Sequence, residues 1–272
     1  MSSRPPLLDA LARRPLLLDA GMGVRLMGRG LDLDRDDPAL WNLTHPVAIR
    51  EVHEADVKAG SDALVTNTFG ANATWLARHG RAGDMTGINA RAVAIAREAA
   101  GPGRYLVGSI GPTAATADAY LSQAEALADA GVDALLLETH DPDQALLGLA
   151  ALRATTPLPM VVGLAILPAD LGAAVRRIED AGAVAVGVNC MSPEDASRAI
   201  LAMREATRLP LLHKPGAMAP GTPTVSPADF ASAVAGLLRL GVRLLGGCCG
   251  ATEAHVAALR SALDAAGRPG VG

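Results

Sequence analysis

An α/β chain folded as one (β/α)8 TIM barrel is what this sequence predicts, and three observations carry the prediction. Eight short apolar runs alternate with eight Ala-rich amphipathic stretches of helix length between residues 16 and 266. A glycine stands between helix and strand in three related phrases, Ala59-Gly60-Ser61-Asp62-Ala63, Ala130-Gly131-Val132-Asp133-Ala134 and Ala181-Gly182-Ala183-Val184-Ala185, where a left-handed helix end is expected. The first strand-to-helix turn lacks the Gly-x-Gly-x-x-Gly pattern that would favour an open dinucleotide-binding sheet.

The strands are read, in order, from Leu16-Leu17-Leu18, Ala63-Leu64-Val65, Tyr105-Leu106-Val107, Ala134-Leu135-Leu136-Leu137, Met160-Val161-Val162, Val184-Ala185-Val186, Leu211-Leu212 and Val242-Arg243-Leu244-Leu245. The helices fall at about 46–59, 84–100, 117–130, 141–153, 170–181, 193–206, 226–239 and 252–266. Asp141-Pro142, Ser192-Pro193 and Ser226-Pro227 open three of them with an N-cap followed by a proline at the first helical position. No Ser/Gly-rich linker divides the chain, so residues 1–14 are expected to be a lead-in and 15–272 a single barrel domain.

Composition narrows the function. The chain has 272 residues, enough to bury a large core, and a formal net charge of −4, which gives no basic footprint for nucleic acid. Apolar residues are 50% of the total and aromatic residues 2%, so Ala, Leu and Val must build the core. No apolar run reaches the length of a membrane span, and the charge at Asp9 interrupts the N-terminal apolar stretch; a cytoplasmic protein is expected. Three cysteines, two of them adjacent, are a poor disulfide framework.

Chemistry-bearing residues collect just after the apolar runs, on the face where barrels of this class keep their active sites. Strand one ends in Asp19-Ala20-Gly21, strand two in Thr66-Asn67-Thr68, strand three in Gly108-Ser109-Ile110, strand four in Glu138-Thr139-His140, strand six in Asn189-Cys190, strand seven in His213-Lys214 and strand eight in Cys248-Cys249. Carboxylates after such apolar runs are costly to bury without a positive partner, and Asp19 and Glu138 have none nearby in sequence. Helix caps or structural hydrogen bonds are the alternative reading of both.

Strands six and eight are separated by one strand, or about 10 Å, a gap that loop residues can close around one ion. Cys190, Cys248 and Cys249 are then candidate ligands of Zn2+, with the fourth tetrahedral position open to a substrate. Three thiolates make the metal a weak acid toward water, but a substrate thiol entering that position would still ionise and could attack an alkyl group on a positive centre. Against this stands the plainer reading of Cys190 as a small buried hydrophobe and Cys248-Cys249 as part of a Gly-rich turn.

With these residues in view, the chain resembles the homocysteine S-methyltransferase family, zinc-dependent (β/α) barrels. The resemblance runs from about Leu16 to Leu263 and rests on Asp19-x-Gly-Met-Gly, Thr66-Asn-Thr-Phe-Gly-Ala-Asn, Gly108-Ser-Ile-Gly-Pro, Glu138-Thr, Gly187-Val-Asn-Cys and Gly246-Gly-Cys-Cys-Gly. It implies that Cys190, Cys248 and Cys249 hold zinc, that the homocysteine sulfur takes the open position, and that Asp19 and Glu138 hold the substrate ammonium. Backbone amides near Ala20 and Thr66 would receive the substrate carboxylate. The implied product is methionine and the implied donors are S-methylmethionine, S-adenosylmethionine or a methylated corrinoid or folate system, with a separate corrinoid protein as a potential partner.

Three departures bear on the donor. Ala20 replaces a glycine of the family pattern, and strand seven reads Lys214-Pro215-Gly216-Ala217-Met218 in place of Lys-Pro-Asn-Ala-Gly. Gly70 stands where the betaine-using branch has an aromatic residue, and a quaternary ammonium needs such rings, so betaine is disfavoured. Two other readings remain at this stage: a lyase forming a Schiff base on Lys214, and a non-catalytic zinc- and homocysteine-binding accessory protein. The loop 21–43, with its Asp32, Asp34, Asp36 and Asp37, is read as a solvated loop or a lid over the mouth. Met22 and Met27 are candidates for the entrance, against the commoner use of Met as gap-filling core, and His140 is read as a surface residue opening a helix in preference to a base behind Glu138.

Overall fold

The computed structural model describes residues 4–113, 116–153, 155–218 and 224–266; the first three residues of the expected lead-in and the last six of the expected barrel domain lie outside these. Eight strands form the barrel: β1 (Leu16–Leu17), β2 (Ala63–Val65), β3 (Tyr105–Ile110), β4 (Ala134–His140), β5 (Met160–Leu164), β6 (Ala185–Asn189), β7 (Leu211–Lys214) and β8 (Val242–Leu245). Every neighbouring pair is parallel, in the order β1-β8-β7-β6-β5-β4-β3-β2. Helices follow each strand, so the chain is a single (β/α)8 barrel.

Two carboxylates help close the barrel between its end strands. Asp62 N–H donates to Leu17 O at 2.7 Å, and Leu17 N–H donates to the Asp62 carboxylate at 2.9 Å. Further up the seam, Val65 N–H donates to Asp19 Oδ2 at 2.9 Å. Asp19 is therefore a piece of the architecture as well as a candidate for the site.

Side chains alternate between two layers, as the period of a strand requires. Leu16, Val107, Leu136, Val161, Leu212 and Leu244 fill the interior, while Leu17, Leu106, Leu135, Val162, Leu211 and Leu245 face the surrounding helices. The lead-in folds into a helix, Leu7–Arg13, whose Leu7, Ala10 and Leu11 join the interior cluster beside Ala63, Tyr105 and Ala134, the first residues of their strands. It thus seals the end of the barrel opposite the chemistry, at about 1.5–3 kcal/mol for each fully buried leucine.

The three expected caps are present: Asp141 accepts from Gln144 N–H at 2.9 Å, Ser192 from Asp195 N–H at 3.1 Å and Ser226 from Asp229 N–H at 3.2 Å. Each is worth about 1 kcal/mol. The helix expected over 226–239 is shorter, Pro227–Ala235, because the chain bends at Gly236 and resumes as a 3-10 turn over Leu238–Leu240. Among the described residues, no helix is long and apolar enough to cross a membrane.

Candidate active site

The three cysteines meet at the C-terminal mouth of the barrel. β6 ends at Asn189, and Cys190 then takes a left-handed backbone conformation, φ 59°, with its N–H directed to Lys214 O at 3.3 Å. After β8 the chain turns through Gly246 and Gly247, and Cys248 N–H donates to Pro215 O at 2.8 Å. The first loop comes hard against this turn: a Cβ on Gly21 would lie 2.4 Å from Cys248 O, so only glycine fits there.

These backbone constraints bring Cys190 Sγ to 3.3 Å from Cys249 Sγ and Cys248 Sγ to 4.0 Å from Cys249 Sγ, with all three sulfurs within 4.8 Å of one another. Three thiolates around a tetrahedral Zn2+ with bonds of about 2.3 Å would be separated by about 3.8 Å, so the donor set and its spacing fit that ion. The Cys248 thiol is pushed up to about 12, first by its hydrogen bond with Cys190, with burial adding to it. With no cation among them the three sulfurs are neutral thiols, and a bound metal ion would have to displace their protons.

The mouth above is a cavity of about 300 Å³. Met22, Val24, Met27, Leu33 and Phe69 give it an apolar wall, and Ala20, Thr66, Glu138, Thr139 and Lys214 line its polar end beside the cysteines. Met22 and Met27 thus stand where the sequence placed them. Gly70 also has a physical account: a Cβ there would sit 2.6 Å from Asp37 Oδ2, so the position offered to an aromatic ring is filled by a carboxylate.

Glu138 is not the unpartnered carboxylate the sequence suggested. Lys214 Nζ donates to Glu138 Oε1 at 3.0 Å and Ser109 Oγ–H donates to Oε2 at 2.6 Å. Burial raises the Glu138 carboxyl, but the Lys214 ammonium and the Ser109 hydroxyl outweigh it and hold the pKa below the ordinary glutamate value. Lys214 is itself held protonated above its ordinary range: burial works against the charge, and Glu138, Cys248 and Asp19 overcome it. A lysine so paired is a poor nucleophile, which removes the basis of the Schiff-base reading.

Asp19 lacks such a partner. Its Oδ2 holds the seam, its buried Oδ1 accepts no hydrogen bond, and His53 Nδ1 at 3.9 Å is kept neutral. Burial, then the nearby Asp56 charge, push the Asp19 carboxyl up to about 8. Because this folded-state value exceeds the unfolded one, near 3.9, the unfolded chain binds fewer protons between those limits and stability falls as pH rises through that window. We expect Asp19→Asn to flatten this slope, its Tm gaining on the wild type between pH 5.5 and pH 8, by calorimetry at both values.

The amides expected to receive a carboxylate are partly committed. Thr66 N–H donates to Val107 O at 2.9 Å, and the Ala20 amide faces the Asp56 carboxylate. Asp56 in turn takes both Nη atoms of Arg25, at 3.0 and 2.6 Å, while Arg25 also donates to Gly21 O and Ala20 O. This buried pair anchors the base of the first loop.

Two further expectations are corrected. His140 is fully buried rather than at the surface: its Nε2 lies 2.9 Å from Tyr120 Oη and its Nδ1 2.9 Å from Glu138 O, and burial lowers it to about 4. The acidic run of loop 21–43 is only partly solvated. Trp41 Nε1–H donates to Asp36 at 2.9 Å, and Asp37 caps the Pro38–Leu40 turn by accepting from Ala39 N–H at 2.8 Å.

Sequence reasoning placed Ser109 and Asn189 at the rim, in Gly108-Ser-Ile-Gly-Pro and Gly187-Val-Asn-Cys, but assigned them no role, and it missed the pairing of Lys214 with Glu138. The signal for the pair was present as opposite charges ending two apolar strands; the partners of Ser109 and Asn189 have no local signal.

A family model described as homocysteine S-methyltransferase matches residues 16–263. The chain is 30% identical to methionine synthase of Mycobacterium tuberculosis over 309 aligned positions, covering 97% of this chain and 26% of that protein. It is 29% identical to methionine synthase of Mycobacterium leprae, covering 94% and 25%, and so spans about a quarter of the length of these relatives. Among solved structures, the oxidized form of the homocysteine methyltransferase MmuM from Escherichia coli superposes with a TM-score of 0.81 at 26% identity, over 95% of this chain and 99% of that one. Its metallated form gives the same score and identity over 94% and 99%. With six motifs, a shared barrel and a match over nearly its whole length, this chain belongs to the homocysteine S-methyltransferase family.

Proposed function

We propose that this protein is a zinc-dependent methyltransferase that moves a methyl group to the thiolate of homocysteine and forms methionine. The observation that carries the reading is the trio Cys190, Cys248 and Cys249, gathered within 4.8 Å at the floor of an apolar mouth. Zn2+ held by these three sulfurs would supply the Lewis acidity that keeps a substrate thiol ionised at neutral pH.

The remaining work falls to the chain. Glu138, fixed by Lys214 and Ser109, presents a permanent negative charge, and Asp19 offers Oδ1. The substrate ammonium would sit against Glu138, on the side of Asp19, which is buried behind Ala20 and does not itself line the cavity. It would supply the positive charge that Asp19 lacks, so that Asp19 gives up its proton as the amino acid arrives. Gly21 and Asn67 line the mouth next to the committed Ala20 and Thr66, and their amides are the ones that would take the carboxylate. With both ends fixed, the sulfur is aimed up the apolar channel of Met22, Val24, Met27 and Leu33, which excludes water and lets a methyl group approach in line.

The donor enters from that side. S-Methylmethionine, S-adenosylmethionine and methylated corrinoid or folate systems are compatible with the apolar wall, and a separate corrinoid protein would dock on the same rim. Asp37 in the place of an aromatic ring disfavours betaine.

The test offers homocysteine with each donor in turn, including a methylated corrinoid protein, to the reduced, zinc-loaded chain. Methionine from at least one donor, with betaine inactive, is the expected result. Homocysteine bound without product from any donor would replace this reading with that of an accessory protein.

A further inference from the structure

Two described non-glycine residues adopt left-handed backbone conformations, Thr139 at φ 66° and Cys190 at φ 59°. Both flank the same side chain. Thr139 is β-branched, for which this region is a true outlier costing about 1–3 kcal/mol unless the surroundings enforce it.

The strain has a structural origin. Leu137 of β4 pairs with Val162 of β5, and the next pair is His140 with Leu164. Two residues, Glu138 and Thr139, therefore face one, Gly163, in a β-bulge that re-aims the strand where it meets the site. The bulge is held from β6, which is not a neighbour of β4. Asn189, fully buried at the end of β6, reaches across β5: its Oδ1 accepts from Thr139 N–H at 3.0 Å and its Nδ2–H donates to Thr139 Oγ1 at 2.7 Å. Gly163 makes this crossing feasible, since a Cβ there would sit 2.6 Å from Asn189 Oδ1.

We infer that Asn189 is a positioning residue: by clamping Thr139 in its left-handed turn from the strand that carries Cys190, it holds Glu138 in register with the thiol cluster. The inference rests on the proposed homocysteine reaction and assigns part of its substrate affinity to a side chain that touches neither substrate nor metal. Without the clamp, Thr139 relaxes toward an ordinary backbone conformation, the bulge unwinds, and Glu138 leaves the position where Lys214 and Ser109 meet it.

The test compares four full-length proteins: wild type, Asn189→Ala, Thr139→Gly and the double variant. In Asn189→Ala the exchange of the Thr139 amide proton is expected to quicken at least tenfold in the substrate-free protein. The homocysteine KM is expected to rise about tenfold with kcat changed less than threefold. Glycine adopts the left-handed conformation without strain, so adding Asn189→Ala to Thr139→Gly is expected to change KM by less than threefold. A purely space-filling role for Asn189 would lower stability without this KM-specific change and without rescue.

An unchanged homocysteine KM in Asn189→Ala, or an equal penalty in both backgrounds, would overturn the inference while leaving the homocysteine reaction standing. A wild-type chain that neither binds nor methylates homocysteine would overturn the reaction itself. Unaltered Thr139 exchange in Asn189→Ala would then still refute the clamp.

Discussion

Replacing Cys248 by alanine is expected to remove bound zinc and to lower homocysteine methylation by at least a thousandfold, with Cys249→Ala and Cys190→Ala close behind. Each change leaves two sulfurs where the chemistry needs three. A structural role for the thiols would predict a different ranking: Cys248 is 7% exposed and Cys249 lies at the surface, so only the former would matter to the core. Loss of one small buried side chain costs about 1–2 kcal/mol at most, far too little to unfold a barrel of this size. Zinc measured by elemental analysis, methionine formation and thermal unfolding of the metal-free proteins separate the cases. Equal loss of metal across all three, with modest and unequal changes in Tm, is the expected pattern.

The second large effect concerns the Lys214–Glu138 pair, 3.0 Å apart with side chains 4% and 10% exposed. Two charges buried together repay part of their desolvation, whereas one left alone does not, so truncating one partner costs about 3–5 kcal/mol. Lys214→Met, which strands Glu138, is expected to lose that much in urea denaturation. Glu138→Gln is expected to lose less, because the introduced amide oxygen can still accept from Lys214 and a lysine can shed its charge, with Asp19 beside it able to take up that proton. The double variant Lys214→Met/Glu138→Gln should recover most of the stability, since no charge is stranded and Ser109 can still hydrogen-bond the amide. It should not recover homocysteine binding, because the carboxylate that faces the substrate ammonium is gone. Independent, additive losses would mean that the two side chains are not coupled.

Much of this was legible in the sequence, and the part that was not has a common cause. The strands could be read because each is a short apolar run that ends in a glycine or a polar residue, and the helices because their caps are local signals such as Ser192-Pro193. Cys190, Cys248 and Cys249 were legible because cysteine is scarce here and its chemistry is specific. Asp19 and Glu138 were visible as carboxylates following apolar runs, yet their partners were not. Lys214 lies 76 residues from Glu138, and only the closed barrel brings the two strand ends together.

Asn189 reads locally as the residue before a cysteine; its reach to Thr139 depends on a bulge in β4 and a missing side chain in β5. The same bulge breaks the two-residue alternation of β4, and this is why His140 is buried against Tyr120 although the sequence places it at the start of a surface helix. The acidic run fails as a simple solvated loop for a similar reason. Asp36 and Asp37 are spent on Trp41 and on a helical turn, contacts that no charge count reveals.

In the proposed enzyme Cys190, Cys248 and Cys249 would hold zinc and leave one position for the substrate's own sulfur. X-ray absorption at the zinc edge counts those sulfurs directly, on the reduced protein before and after homocysteine is added. Three sulfurs and one lighter ligand, changing to four sulfurs with homocysteine, is the predicted result. A zinc-free protein, or a sulfur count that homocysteine does not change, would contradict it.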